Sequence, residues 1–198
     1  MTPELPIDLN LIDHVAFGSG PITLPTRKTW DELSARAGRN DMPGILAEAI
    51  LSESLSHVEL AKGIASTWVL CEWPARAIEI HVWEYIFTMV CDGGYYLNDD
   101  GDVKSHEDLP EELILYRGCL PEFKEGMSWT TDKERAVWFA HRLDHGNNIG
   151  HLYTCTIPPH IVLAKFDGRG ENEIVIEVSQ LFEDDIEEID ESTEKKEG

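Results

Sequence analysis

Two kinds of apolar spacing divide this chain. Through residues 26–92 apolar side chains recur at three- and four-residue intervals, the period of an amphipathic helix. From residue 113 onward they come in short runs, ELILYRG, GHLYTCTI, HIVLAKF and EIVIEV, bounded by turn residues. Helices and strands segregated in this way do not build alternating βαβ units. The order predicts an α+β fold, with a helical part followed by a strand-rich one.

The boundaries follow from local chemistry. Residues 1–25 are punctuated by Pro and Gly and read as an irregular lead-in. Thr29 and Glu32 of TWDE form a capping box that opens a short helix ending near Gly38. MPGILAEAILSESL, with Pro43 near its start, is a second helix, and HVELAKGIASTWVLCEW a third. PARAIEIHVWEYIFTMV reads as one continuous fourth helix, with Ile78, Val82, Tyr85, Ile86 and Met89 on its buried face. Residues 95–110 are a loop or short hairpin. A helix over TDKERAVWFAHRLDHG follows the short strand MSWTT, capped by Thr131 and Glu134 and ended by Gly146. The expected organisation is a lead-in (1–25), a helical part (26–94), a strand-rich core (95–182) and an acidic tail (183–198).

Charge narrows the function classes. The 198 residues carry a formal charge of −22, which disfavours a nucleic-acid binder, since phosphates call for a basic stripe. Nine acids and two lysines crowd residues 183–198, and no apolar period there suggests docking, so this tail is expected to be disordered. Cys71, Cys91, Cys119 and Cys155 form no CxxC pair and lie in apolar settings, as buried free thiols do. The first residues lack the basic start and apolar run of a signal peptide, and no 18-residue apolar stretch exists. A cytoplasmic protein without a membrane partner is expected.

Several stretches could carry chemistry, and each also has an ordinary reading. His141 and His145 are four apart on a predicted helix, a metal-ligand spacing, but HExxH is missing and a solvated helix end suffices; no metal is expected. Arg117 ends an apolar strand and is followed by Gly118. Its guanidinium either snorkels and pairs internally, or holds a phosphate or carboxylate. Ser128 and Thr130 flank Trp129, so in a strand both hydroxyls share one face. They are either a polar edge or a wall that holds a carboxylate or ribose. Glu171 and Glu173, two apart at the mouth of EIVIEV, share a face with Val175 and Glu177. That face is either half-solvated or presents a working carboxylate pair.

Together the pieces form an Arg, Ser-x-Thr, Glu-x-Glu order. YRG, then GMSWTTDKERAVWFAHR, IPPHIVLAKF and ENE make residues 113–181 resemble the ADP-ribosyltransferase superfamily in its Arg-Ser-Glu branch, most closely its small bacterial and phage members. The resemblance implies a core of two small packed β-sheets with a helix, binding NAD as a substrate in the cleft between them. Arg117 would hold the pyrophosphate or adjoining ribose of NAD, and Gly118 would offer backbone bonds to the nicotinamide amide. Ser128 would orient the catalytic Glu173, which bonds the nicotinamide-ribose 2′-hydroxyl, with Thr130 supporting the same wall. Phe139 or Trp138 would stack on nicotinamide. Glu171 would contact the acceptor, with Phe166 and Arg169 as further contacts on the turn 166–172.

The implied activity is mono-ADP-ribosyl transfer to a protein, on arginine, by an effector or toxin in a bacterial or host-cell cytosol. Water as acceptor would make the chain an NAD glycohydrolase. Nucleic acid as acceptor, and a catalytically silent fold used for binding, are the other readings.

Overall fold

The computed structural model describes residues 27–91, 93–142, 149–168, 170 and 172–191. Helices α1 (Trp30–Ser34), α2 (Met42–Leu51) and α3 (His57–Leu70) lie within the first three expected helices. Thr29 Oγ1 accepts the Glu32 N–H while the Glu32 carboxylate accepts the Thr29 N–H, and Pro43 sits in the first turn of α2.

The expected fourth helix is two. α4 (Pro74–Ala77) and α5 (Ile80–Thr88) are separated by extended backbone at Ile78 and Glu79. The break resets the helical phase, and the buried side of α5 is Trp83, Ile86 and Phe87. Of the expected stripe, Tyr85 is 67% exposed and Val82 also faces solvent, while Ile78 and Met89 pack at the margin. Bulk decides the matter, because burying two aromatic rings removes more apolar surface from water than the smaller alternatives do.

Eight strands form one mixed sheet in the order β2-β1-β6-β7-β4-β3-β5-β8. They are β1 (Tyr95–Leu97), β2 (Val103–Ser105), β3 (Leu113–Cys119), β4 (Ser128–Thr130), β5 (His151–Ile157), β6 (Val162–Phe166), β7 (Glu173–Ile176) and β8 (Glu187–Glu188). Every pairing is antiparallel except β1 with β6. β3 and β5 pair through seven residues, whereas β3 and β4 meet only at Tyr116 and Thr130. The sheet is therefore continuous but narrow at that seam.

Strand alternation gives the sheet two apolar faces. On one, Leu97, Ala164, Phe166 and Val175 share a core with Trp30, Leu46, Ile64, Trp68 and Phe87. The helical part thus lies on the sheet as a layer. α6 (Lys133–His141) covers the other end of this face, over Tyr116 and Leu152. The opposite face buries Leu115, Trp129, Ile157, Ile174 and Ile176, closed over by Leu109, Leu181 and Ile186. Among the described residues, no helix is long and apolar enough to cross a membrane.

Two further expectations are corrected. α6 is capped by Asp132, whose Oδ1 accepts the Arg135 N–H, one residue later than the Thr131–Glu134 box. The acidic segment is ordered through Glu191: β8 pairs with β5, Ile186 and Ile189 pack against the sheet, and Lys124 holds Glu183 at 2.6 Å. Two isoleucines and one strand pairing suffice to dock a segment whose composition reads as solvated; residues 192–198 lie outside the described residues.

Candidate active site

Glu173 opens β7 directly opposite Thr130 of β4, and Ser128 pairs with Val175. Alternation then puts Ser128, Thr130, Glu173 and Val175 on the face shared by the helical layer and α6. The Ser128 hydroxyl donates to Glu173 Oε1 at 2.5 Å. A second donor comes from α3: Trp68 Nε1 reaches the same Oε1 at 3.0 Å. Nothing in the sequence pattern singled Trp68 out, because it sits within a helical stripe as an ordinary core residue would. Its partner is 105 residues away.

Glu177, which shares the face by parity, stays out of this group. β7 ends at Ile176, and the Glu177 carboxylate accepts from Gln180 and from the Ser179 hydroxyl. Thr130 is buried, and its Oγ1 accepts the Asp132 N–H at 3.0 Å, tying β4 to the start of α6.

Arg117 is brought to the same place from β3. Its Nη1 donates to the Ser128 carbonyl and its Nε to the Phe123 carbonyl at 3.0 Å. Gly126 makes room, since a Cβ there would lie 2.2 Å from Arg117 Nη2. The guanidinium clamps the loop that enters β4, so Arg117, Ser128 and Glu173 form one hydrogen-bonded line. Gly126 is a second residue the motif reading missed, and its signal was the glycine two positions before Ser128.

No family model, no curated protein and no solved structure matches the chain.

The remaining expected residues fall less uniformly. A Cβ on Gly118 would sit 1.8 Å from the Ala136 carbonyl oxygen and 2.5 Å from Ala140 N. The close approach that Gly118 permits is therefore to α6, and its backbone pairs with Leu152 of β5. Phe139 is half-buried on α6, edge-to-face with the half-exposed Trp138 at 5.1 Å. The guanidinium carbons of Arg135 and Arg142 lie 4.9–5.5 Å from these two rings. The contact role of Phe166 is corrected: at 3% exposure it belongs to the core under the helical layer, because it closes β6 opposite Glu173 with its side chain inward. Glu171, Arg169 and His145 lie outside the described residues. His141 pairs with Glu191. Asp99 anchors the end of β6, its carboxylate accepting the N–H groups of Asp167 at 2.8 Å and Gly168 at 3.0 Å.

The group can act on developing positive charge. The Ser128 hydroxyl and the Trp68 N–H give the carboxylate a defined orientation. The Trp68 ring, edge-to-face with Trp83 at 5.2 Å and with Phe87 at 5.5 Å, walls off one side from water.

Proposed function

We propose that this chain is an NAD-dependent mono-ADP-ribosyltransferase that modifies a protein on arginine. The supporting observation is the line Arg117–Ser128–Glu173, in which three stretches of sequence converge so that a serine hydroxyl orients a single carboxylate. In this reading the narrow seam at Tyr116–Thr130 divides two small sheets, and NAD lies along it with its nicotinamide ribose beside Glu173.

The chemistry then proceeds as in glycoside cleavage. The ribosyl C1′–N bond breaks, nicotinamide leaves with the bonding electrons as a neutral molecule, and positive charge grows on C1′ and the ring oxygen. The Glu173 carboxylate stabilises that charge more in the transition state than in the ground state, while bonding the 2′-hydroxyl. A guanidinium nitrogen of the acceptor bonds to C1′, and its proton passes to Glu171. Arg117 serves in part through Ser128, by fixing the backbone that carries the orienting hydroxyl. NAD enters as a substrate, and no metal has a part in these steps.

The test is incubation with NAD labelled in its adenylate half, plus cell lysate, alongside Glu173→Gln. Label on protein that disappears in the variant is the expected result. Free ADP-ribose alone would make the chain a glycohydrolase, and label on nucleic acid would change the acceptor class. Equal NAD loss in the variant would refute the role of Glu173. No loss in either would leave a binding protein.

A further inference from the structure

We infer that Trp68 is a positioning residue for Glu173, which makes the helical part a component of the active site; the inference rests on the transferase reading above. The contact is specific in geometry. Both Ser128 Oγ and Trp68 Nε1 donate to Oε1, at 2.5 and 3.0 Å. Two donors converging on one oxygen restrict the swing of the carboxylate.

The donor is itself held. Trp68 is 4% exposed and wedged edge-to-face against Trp83 and Phe87. Trp83 is locked in turn, with its Nε1 donating to the Pro74 carbonyl at 3.0 Å. A carboxylate anchored to this cluster has little freedom to swing, and pre-organisation of this kind lowers the reorganisation needed at the transition state.

The choice of an indole has a chemical reason. Indole N–H is a donor only and does not titrate. A lysine or a protonated histidine at the same place would orient Glu173 equally well, but its charge would oppose the positive charge growing on the ribose. A neutral donor orients the carboxylate and leaves its field intact. Satisfying a buried indole does not by itself explain the pairing, since Trp30 is equally buried and its Nε1 has no hydrogen-bond partner among the described residues.

The experiment compares the full-length chain with Trp68→Phe, with benzothienylalanine at position 68 (sulfur in place of the N–H, ring shape retained) and with Glu173→Gln. Nicotinamide release from NAD alone gives kcat and KM, and thermal unfolding gives Tm. Both Trp68 replacements are expected to lower kcat about ten- to a hundredfold with KM within about twofold, as loss of a hydrogen bond to a charged group in the transition state requires. The isosteric replacement keeps Tm within about 2 °C. Unchanged kcat in both, with Glu173→Gln inactive, would overturn the positioning role and leave the transferase reading standing. A raised KM at unchanged kcat would likewise overturn it. Nicotinamide release undiminished in Glu173→Gln, or absent from the unsubstituted chain, would overturn the transferase reading and this inference with it.

Discussion

Replacing Gly118 by Ala should detach α6 from the sheet. The added Cβ would lie 1.8 Å from the Ala136 oxygen and 2.5 Å from Ala140 N. Carbon makes ordinary contact near 3.5 Å, so the helix would have to retreat by about 1.5 Å. Neither neighbour can rotate aside, because both are backbone atoms of one helix. Gly150, just before β5, enforces the same approach, since a Cβ there would meet the Ala140 oxygen at 1.9 Å. A retreating α6 would uncover Ala136, Leu152 and Tyr116, all buried. Overpacking costs about 1–3 kcal/mol, and a rigid neighbour belongs at the upper end. Relief of glycine's backbone entropy returns about 0.5–1 kcal/mol. The net loss is about 2 kcal/mol, which at a urea slope of about 2 kcal/mol/M lowers the midpoint by about 1 M. Urea unfolding followed by tryptophan fluorescence measures it. A midpoint within about 0.2 M of the unsubstituted chain would show that α6 is not seated on Gly118.

Three other outcomes follow from the contacts. Ser128→Ala removes the 2.5 Å donor to Glu173 and should cut nicotinamide release from NAD about ten- to a hundredfold, with Tm nearly unchanged; a loss confined to Tm would contradict the orienting role. The carboxyl of Glu59 is held below its ordinary 4.5 by the hydrogen bond it accepts from Lys62, then by that from the Trp30 N–H. A lowered carboxyl pKa adds stability that is present above 4.5 and lost as pH falls through the lowered value, so the Tm advantage over Glu59→Gln should shrink between pH 6 and pH 3. A gap independent of pH would contradict it. Burial pushes the Cys91 and Cys155 thiols up to about 12, so neither should react with iodoacetamide in the native protein at pH 8, and both should react in urea; mass spectrometry reads the difference.

The parts of this molecule that could be read in the sequence are those governed by neighbours along the chain. Alternation put Ser128 and Thr130 on one face, and the same rule put Glu173 on the face of Val175, as the register between β4 and β7 has them. The Thr29–Glu32 box and the segregation of helices from strands were likewise local. What escaped depends on contacts between distant residues. A single pair at Tyr116–Thr130 joins the strands into one sheet, and no strand pattern specifies which edges meet. The break at Ile78–Glu79 lies in a stretch whose apolar residues suit a helix throughout, and burial of Trp83 and Phe87 against Trp68 selects the phase that follows it. Phe166 closes the expected strand HIVLAKF, and only the resemblance made it an acceptor contact; β6 carries it inward. The acidic segment looked solvated by composition, and Ile186 and Ile189 dock it all the same.

The shared core of the helical layer and the sheet has a consequence for how the chain is made. Translation delivers α1 to α5 first, but the floor they rest on includes Leu163, Ala164, Phe166 and Val175, which arrive late. Trp68 waits 105 residues for Glu173, about 5–20 s at the pace of a ribosome. Until β7 is inserted beside β4, neither Ser128 nor Trp68 has Glu173 to hold, so the line Arg117–Ser128–Glu173 closes only when most of the chain has been made.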